Sequence, residues 1–217
     1  MHEIAPDVWH LPLAPRFGIN AYAIGDVVVD AGLKGSAKKV LGQLHGRHIA
    51  AHALTHAHPD HAGGSKQVCD TLGVPCWAGA ADAPAAREGV SSPPNSFLDP
   101  VQARARWPGV EVSRELREGD EAGGFVVLDT PGHTPGHVAF WRELDRVLVC
   151  GDVFFNMNLL TTRPGLHEPL GALTSDPARN RESMRRLAAL EPAIVGFGHG
   201  PVLTNAAPKL RTFVAGL

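Results

Sequence analysis

A chain of 217 residues, 44% hydrophobic and 19% charged, is long enough to bury a core of its own and has the balance of a globular protein. Its formal charge of −2 and lack of a long basic run give no sign of a nucleic-acid partner, so none is expected, and no apolar stretch reaches membrane-spanning length. Met1-His2-Glu3-Ile4-Ala5 lacks the basic start and apolar run of a secretory leader, and Cys69, Cys76 and Cys150 form no paired framework, so the expected setting is the reducing cytoplasm.

Short apolar runs bounded by Gly, Pro or Asp predict strands at Val8–Leu13, Asn20–Ile24 and Val27–Asp30, the last two joined by a hairpin turn at Gly25-Asp26. Ser36 is placed to cap a helix burying Val40, Leu41 and Leu44. A strand at Ile49–Leu54 runs into a histidine-rich turn, followed by a helix over 63–72 and a strand at Val74–Ala78. Residues 80–108, with Pro84, Pro93, Pro94, Pro100 and Pro108, predict a short helix and an irregular excursion. Strands resume at Val110–Leu116, Gly124–Asp129, Val138–Trp141 and Arg146–Cys150, before a loop over 153–175. Asp176 and Pro177 start a helix that buries Met184, Leu187 and Leu190. A strand at Ala193–Phe197 and a helix with Leu210, Phe213, Val214 and Leu217 on one face complete the chain.

The strands fall into two clusters, 8–78 and 110–197, each followed by helices and with no linker between them. That order predicts one domain over residues 1–217, two packed sheets flanked by helices, with one cluster supplying each sheet. Polar residues gather just past strand ends, at Asp30, His56, His133, Asp152 and His199, where open α/β architectures collect their sites.

Twelve histidines accompany a single tyrosine, and four ligand-type residues crowd into six positions: His56, His58, Asp60 and His61. Imidazole and carboxylate without thiolate suit zinc, iron, manganese or cobalt in a catalytic site. A sharp turn at Pro59 and Gly63-Gly64 would let the four converge. His2, His10, His45, His48, His52 and His167 have no ligand-like context and are expected mostly at the surface. Cys150 is expected to be a buried structural thiol, and Arg179 and Arg181 to lie on a helix surface.

Thr55-His56-Ala57-His58-Pro59-Asp60-His61-Ala62-Gly63-Gly64 is similar to the HxHxDH signature of the metallo-β-lactamase superfamily. Other landmarks follow in order. Asn20–Ile24 with Val28–Gly32 resembles the opening hairpin, Thr130–His137 the third-histidine motif, Cys150-Gly151-Asp152 the bridging-aspartate strand end and Gly198-His199-Gly200 the terminal histidine. The resemblance implies a four-layer αββα sandwich and a hydrolase with two divalent metal ions, zinc first, with iron or manganese as alternatives. It implies one metal on His56, His58 and His133 and a second on Asp60, His61 and His199, with Asp152 bridging and Asp60 also holding the nucleophile's hydrogen. Asp30 reads either as a turn residue ahead of Gly32 or as a carboxylate that takes a proton from a ligating imidazole. His137 is expected to pack or hydrogen-bond behind the ligands.

Within that resemblance the leading activity is hydrolysis of an ester, thioester or lactone of a small molecule. A glyoxalase II-like glutathione thioesterase is the first alternative, disfavoured because only Gly200–Leu217 follow the last histidine where those enzymes carry a helical glutathione-binding region. An iron-dependent persulfide dioxygenase is the second, weakly disfavoured by the filled second ligand set. A non-catalytic metal-binding module is the third. Phe154, Phe155, Met157, Leu159 and Leu160 would make an apolar wall, with Phe155, Leu159 and Leu160 the expected substrate contacts; inward packing as core competes with that reading. Phe155 stands where the superfamily's acyl-homoserine lactonases carry a tyrosine, so weak lactone hydrolysis is expected.

Overall fold

Side-chain alternation decides how the strands stack. In Phe125–Asp129, Val138–Arg142 and Val147–Val149 one face carries Phe125, Val127, Val138, Phe140, Val147 and Val149, all buried in one cluster. The opposite face carries Leu128, Ala139, Trp141 and Leu148, buried in another. Strands Asn20–Ile24 and Val27–Val29 behave alike: Tyr22, Ile24, Val27 and Val29 join the first cluster, while Ala21, Ala23 and Val28 face a third. A strand buried on both faces must be covered on both, so two sheets meet through the shared cluster with helices outside.

The computed structural model describes residues 1–92 and 105–217. The first sheet runs in sequence order through β1 (His2–Ala5), β2 (Val8–Pro12), β3 (Asn20–Ile24), β4 (Val27–Val29), β5 (Ala51–Ala53), β6 (Cys76–Gly79) and β7 (Val112–Leu116). It is antiparallel up to β4 and parallel from β4 to β7. The second sheet uses β8 (Glu121–Ala122), β9 (Phe125–Asp129), β10 (Val138–Arg142), β11 (Val147–Val149), β14 (Ile194–Gly196) and β15 (Leu203–Thr204), in the order β15-β14-β11-β10-β9-β8. A separate hairpin pairs β12 (Phe155–Met157) with β13 (Pro164–His167). Outside the first sheet lie α1 (Ala37–Gln43), α3 (Ser65–Leu72) and α4 (Ala83–Glu88); a single turn, α2 (Pro59–Ala62), precedes α3. Outside the second lie α5 (Pro177–Ala189) and α6 (Ala206–Ala215), whose Met184, Leu187 and Leu210 complete its outer cluster. This is the four-layer αββα sandwich.

Several expectations are corrected. The strand at 112–116 belongs to the first sheet, not the second, because it pairs in parallel with β6 across the crossover that holds α4. The helix expected over 63–72 is α3, which starts at Ser65, and the turn before it carries a further helical turn, α2, that was not expected. The loop expected over 153–175 contains the β12–β13 hairpin. Ser36 sits at the start of α1 without a capping bond, whereas Asp176 accepts from the Arg179 amide. His10 and His52 are buried: His10 bonds the Asn20 side chain at 2.8 Å, and His52 spans Val28 O at 3.0 Å and Ser65 Oγ at 2.8 Å. Within 80–108, α4 is the expected short helix, while Pro93, Pro94 and Pro100 lie outside the described residues. All three cysteines are buried and free. Among the described residues no helix is long and apolar enough to cross a membrane.

Candidate metal centre

Five strand ends deliver the polar residues to one place. Asp30 directly follows β4, β5 leads to His56 and His58, and α2 carries Asp60 and His61. The β9–β10 turn carries His133, and Asp152 and His199 follow β11 and β14. His58 Nδ1 lies 3.1 Å from His56 Nε2 and 3.1 Å from His133 Nε2. His199 Nε2 lies 3.3 Å from Asp60 Oδ2, and His61 Nε2 lies 4.0 Å from the same oxygen. Asp152 stands between these groups: Oδ2 is 3.9, 3.5 and 3.2 Å from Nε2 of His56, His133 and His199, and Oδ1 is 3.4 Å from His61 Nε2.

Hydrogen bonds on the far side of each ring determine which nitrogen faces inward. His199 Nδ1 is 2.6 Å from the Gly18 carbonyl, which only accepts, so Nδ1 carries the proton. His61 Nδ1 donates to Asp30 Oδ2 at 2.8 Å. The Thr55 hydroxyl donates to the same oxygen at 2.8 Å, which leaves its lone pair for His56 Nδ1–H at 3.0 Å. The Thr174 hydroxyl donates to Leu170 O and accepts from His133 Nδ1 at 3.2 Å. Four imidazoles thus have their Nδ1 protons engaged and Nε2 turned to the centre, an arrangement that fixes ligand orientation. Behind them His137 Nε2 accepts the Asp152 amide at 3.1 Å, and its ring stacks on His56. Gly198 must lack a side chain, since a Cβ there would lie 2.0 Å from Asp152 Oδ1.

The electrostatics divide the cluster. Burial pushes His56 and His133 well below the usual imidazole range and His58 below it, so all three are neutral, the form that binds metal. Burial also opposes charge on His61 and His199, but the carboxylates win. Asp152 and Asp30 lift His61 well above its usual value, and Asp152 and Asp60 lift His199 to about 10. Asp152 and Asp60 are held below the carboxylate range against the same burial by their histidine neighbours. This half is built to hold positive charge.

The donor set fits divalent metal. His56, His58 and His133 form one candidate group, Asp60, His61 and His199 a second, and His56, His61 and Asp152 a third that links them. Nitrogens around a tetrahedral ion with bonds of about 2.0–2.1 Å lie roughly 3.3 Å apart, close to the separations here. His61 Nε2 and Asp152 Oδ1 are buried without a hydrogen-bond partner, as atoms reserved for a ligand would be.

A cavity of about 200 Å³ opens over the cluster, bounded by His58, Asp60, His133, Asp152 and His199. Its walls are Pro59, Ser91, Ala105, Phe155, Leu159 and Leu173. The Phe155 ring lies 4.6 Å from the His199 ring and 6.4 Å from that of His133. Leu160 is not in this wall; it is 86% exposed and points to solvent. Phe154 packs in the core with α5 and α6, and Met157 is buried. Arg181 is paired with Glu168 at 2.7 Å, away from the cavity. Leu173, Thr174 and Asp82 carry no signal in the sequence that would have found them.

Known proteins align with this arrangement. A family profile described as the metallo-β-lactamase superfamily matches residues 14–199. The probable metallo-hydrolase YflN of Bacillus subtilis is 31% identical over 205 residues, covering 82% of this chain and 76% of its own. The chain belongs to the metallo-β-lactamase superfamily. A crystal structure of TTHA1623 in a di-iron-bound form is 30% identical and superposes with a TM-score of 0.69 over 92% of this chain and 96% of that one. A hydroxyacylglutathione hydrolase of Methylococcus capsulatus is 35% identical over 105 residues, which span 46% of this chain and 32% of that enzyme. As a member of this superfamily of metallo-hydrolases, the chain has the His/Asp groups that can hold divalent metals.

Proposed function

We propose that this chain is a two-metal hydrolase that cleaves an ester, thioester or lactone with a small apolar acyl group. The position of Asp152 carries the reading: a single buried carboxylate lies 3.2–3.9 Å from histidine nitrogens of both candidate groups. His56, His58 and His133 would hold one ion, Asp60, His61 and His199 the other, and Asp152 both. Zinc is the first choice, with iron or manganese suiting the same nitrogen and oxygen donors. The di-iron form of TTHA1623 supports two ions in a relative. Such a pair supplies a water acidified to near-neutral pKa and a Lewis acid for the carbonyl oxygen.

The chain's own residues supply the rest. Asp60, 29% exposed at its side chain, is the carboxylate open to the cavity and can hold the nucleophile's hydrogen. Phe155, Leu159 and Leu173 exclude water and cover an acyl chain. The match to hydroxyacylglutathione hydrolases favours a thioester among the candidates, although this chain spans only a third of the length of the enzyme named above.

Metal analysis of zinc-loaded protein should give two equivalents, together with turnover of short-chain esters or thioesters. Asp152→Ala should lower both occupancies, whereas His133→Ala should empty mainly the first. One equivalent in the wild type, unchanged in Asp152→Ala, would refute the bridged pair.

A further inference from the structure

Asp82 stands at the start of α4 with Pro84 behind it, the pattern of a helix-capping aspartate, yet its side chain makes no capping bond. Both carboxylate oxygens turn the other way. Oδ2 accepts from the Ala57 amide at 2.9 Å and the Thr134 hydroxyl at 2.6 Å. Oδ1 accepts from the Gly136 amide at 2.8 Å and the Ser92 hydroxyl at 2.7 Å. The Ser92 amide in turn bonds Ala57 O at 3.0 Å, so Ala57 is gripped at both ends of its backbone. Ala57 lies between His56 and His58, and Thr134 follows His133. One oxygen atom therefore joins the two loops that bear all three nitrogens of the first group.

The contact is close enough to constrain its neighbours. A Cβ on Gly136 would lie 2.3 Å from the Asp82 amide nitrogen, so only glycine lets the His133 turn settle against it. Asp82 is fully buried, and its four donors are two amides and two hydroxyls, none of them a cation. Hydrogen bonds to both oxygens offset the cost of burying the carboxylate, and its attraction for a cation held nearby is little screened there.

We propose that Asp82 is a positioning residue for metal binding: it sets the spacing of the His56–His58 loop against the His133 loop, and its negative charge favours a cation there. This rests on the reading that His56, His58 and His133 hold a metal. Asp82→Asn keeps the shape but places an amide N–H₂ where two donors already point, which forces the loops apart.

The test is competition between metal-free protein and a chromophoric chelator for zinc(II), with cobalt(II) absorption reporting on the first group. Asp82→Asn should lose about 10–100-fold in affinity at that group, as buried partners of metal ligands do, with the second group unchanged. The cobalt spectrum should shift, and kcat for a short-chain ester should fall more than KM rises. A purely structural role would lower the melting temperature equally with and without metal and leave affinity and spectrum at wild-type values; that result overturns the proposal. If Asp82→Asn does not fold, Thr134→Val removes one donor to Oδ2 alone. A several-fold loss at the first group then supports the proposal, and unchanged affinity overturns it. Wild-type protein that takes up no zinc would sink the metal reading and this inference with it, whereas two equivalents in the wild type with equal affinity in the variant sink only the inference.

Discussion

Replacing Asp30 with asparagine should disable ligands in both metal groups without removing either ligand. Asp30 is 1% exposed and takes three hydrogen bonds at 2.8 Å each: Thr55 N on Oδ1, and Thr55 Oγ1 and His61 Nδ1 on Oδ2. Asparagine keeps one acceptor oxygen, held by the Thr55 amide, and puts N–H₂ where Oδ2 was. His61 can satisfy that donor only by accepting at Nδ1, which moves its proton to Nε2, the nitrogen facing Asp152. The Thr55 hydroxyl must likewise accept and then donate onward to His56 Nδ1, 3.0 Å away, which protonates His56 Nε2 as well. A charge-assisted bond of this kind contributes about 1.5–3 kcal/mol, which at about 1.4 kcal/mol per tenfold is about 10–100-fold in zinc affinity. Chelator competition on metal-free protein measures it, with Asp30→Ala alongside. Alanine removes the carboxylate but imposes no proton shift, so it should impair metal binding less than asparagine. Wild-type affinity in Asp30→Asn, or a larger loss in Asp30→Ala, would refute the proton argument.

Leu159→Ser and Leu173→Ser should raise KM for short-chain esters about 10-fold each at unchanged metal content, by the usual 1–3 kcal/mol of an apolar contact, while the exposed Leu160→Ser changes neither; equal effects at 159 and 160 would count against the wall. Phe155→Tyr places a hydroxyl donor on a ring 4.6 Å from that of His199 and should raise lactone turnover, by up to about 10²-fold if it reaches the developing oxyanion; efficient wild-type hydrolysis of acyl-homoserine lactones would show that no such donor is needed. Burial lowers the pKa of His52 from the ordinary 6.5, although the Val28 carbonyl opposes this, so the unfolded chain binds the proton first as pH falls. Its contribution to stability is intact above the unfolded value and is lost as pH drops below about 6.5, at no more than about 1.4 kcal/mol per unit. Urea unfolding of metal-free His52→Gln should therefore lose less stability than wild type between about pH 7.5 and about pH 5.5, and parallel losses would exclude His52 as the titrating group.

What the sequence made legible was what is local. Strands β3, β4 and β9–β11 could be read as short apolar runs between Gly, Pro and Asp, because a strand sandwiched between layers is apolar on both of its faces. The His56–His61 run could be read because four ligand-type residues share one turn. Pairing across the chain could not. β7 joins β6 across the crossover that holds α4 rather than β8, which follows it after a short turn, and nothing in Val112–Leu116 says which sheet edge it completes. His10 and His52 looked like surface residues because Asn20 and Ser65, their side-chain partners, lie 10 and 13 positions away. Leu159 and Leu160 are adjacent and chemically identical, yet one lines the cavity and the other is 86% exposed, a difference set by the hairpin between β12 and β13.

Asp82 shows the limit most sharply, since its local pattern points to the wrong partner. Aspartate before a proline-containing helix start is a capping signal, and the backbone around Asp82 does turn into α4. What redirects the side chain is the arrival of Ala57 and Gly136 from two other strand ends, with four donors converging where a cap offers one. A metal-ligand run names the donors but not their spacing. That spacing depends on buried carboxylates at Asp30 and Asp82, which hold the loops from behind and belong to no ligand motif. Ligand identity is a property of short segments here; ligand geometry belongs to the assembled sandwich.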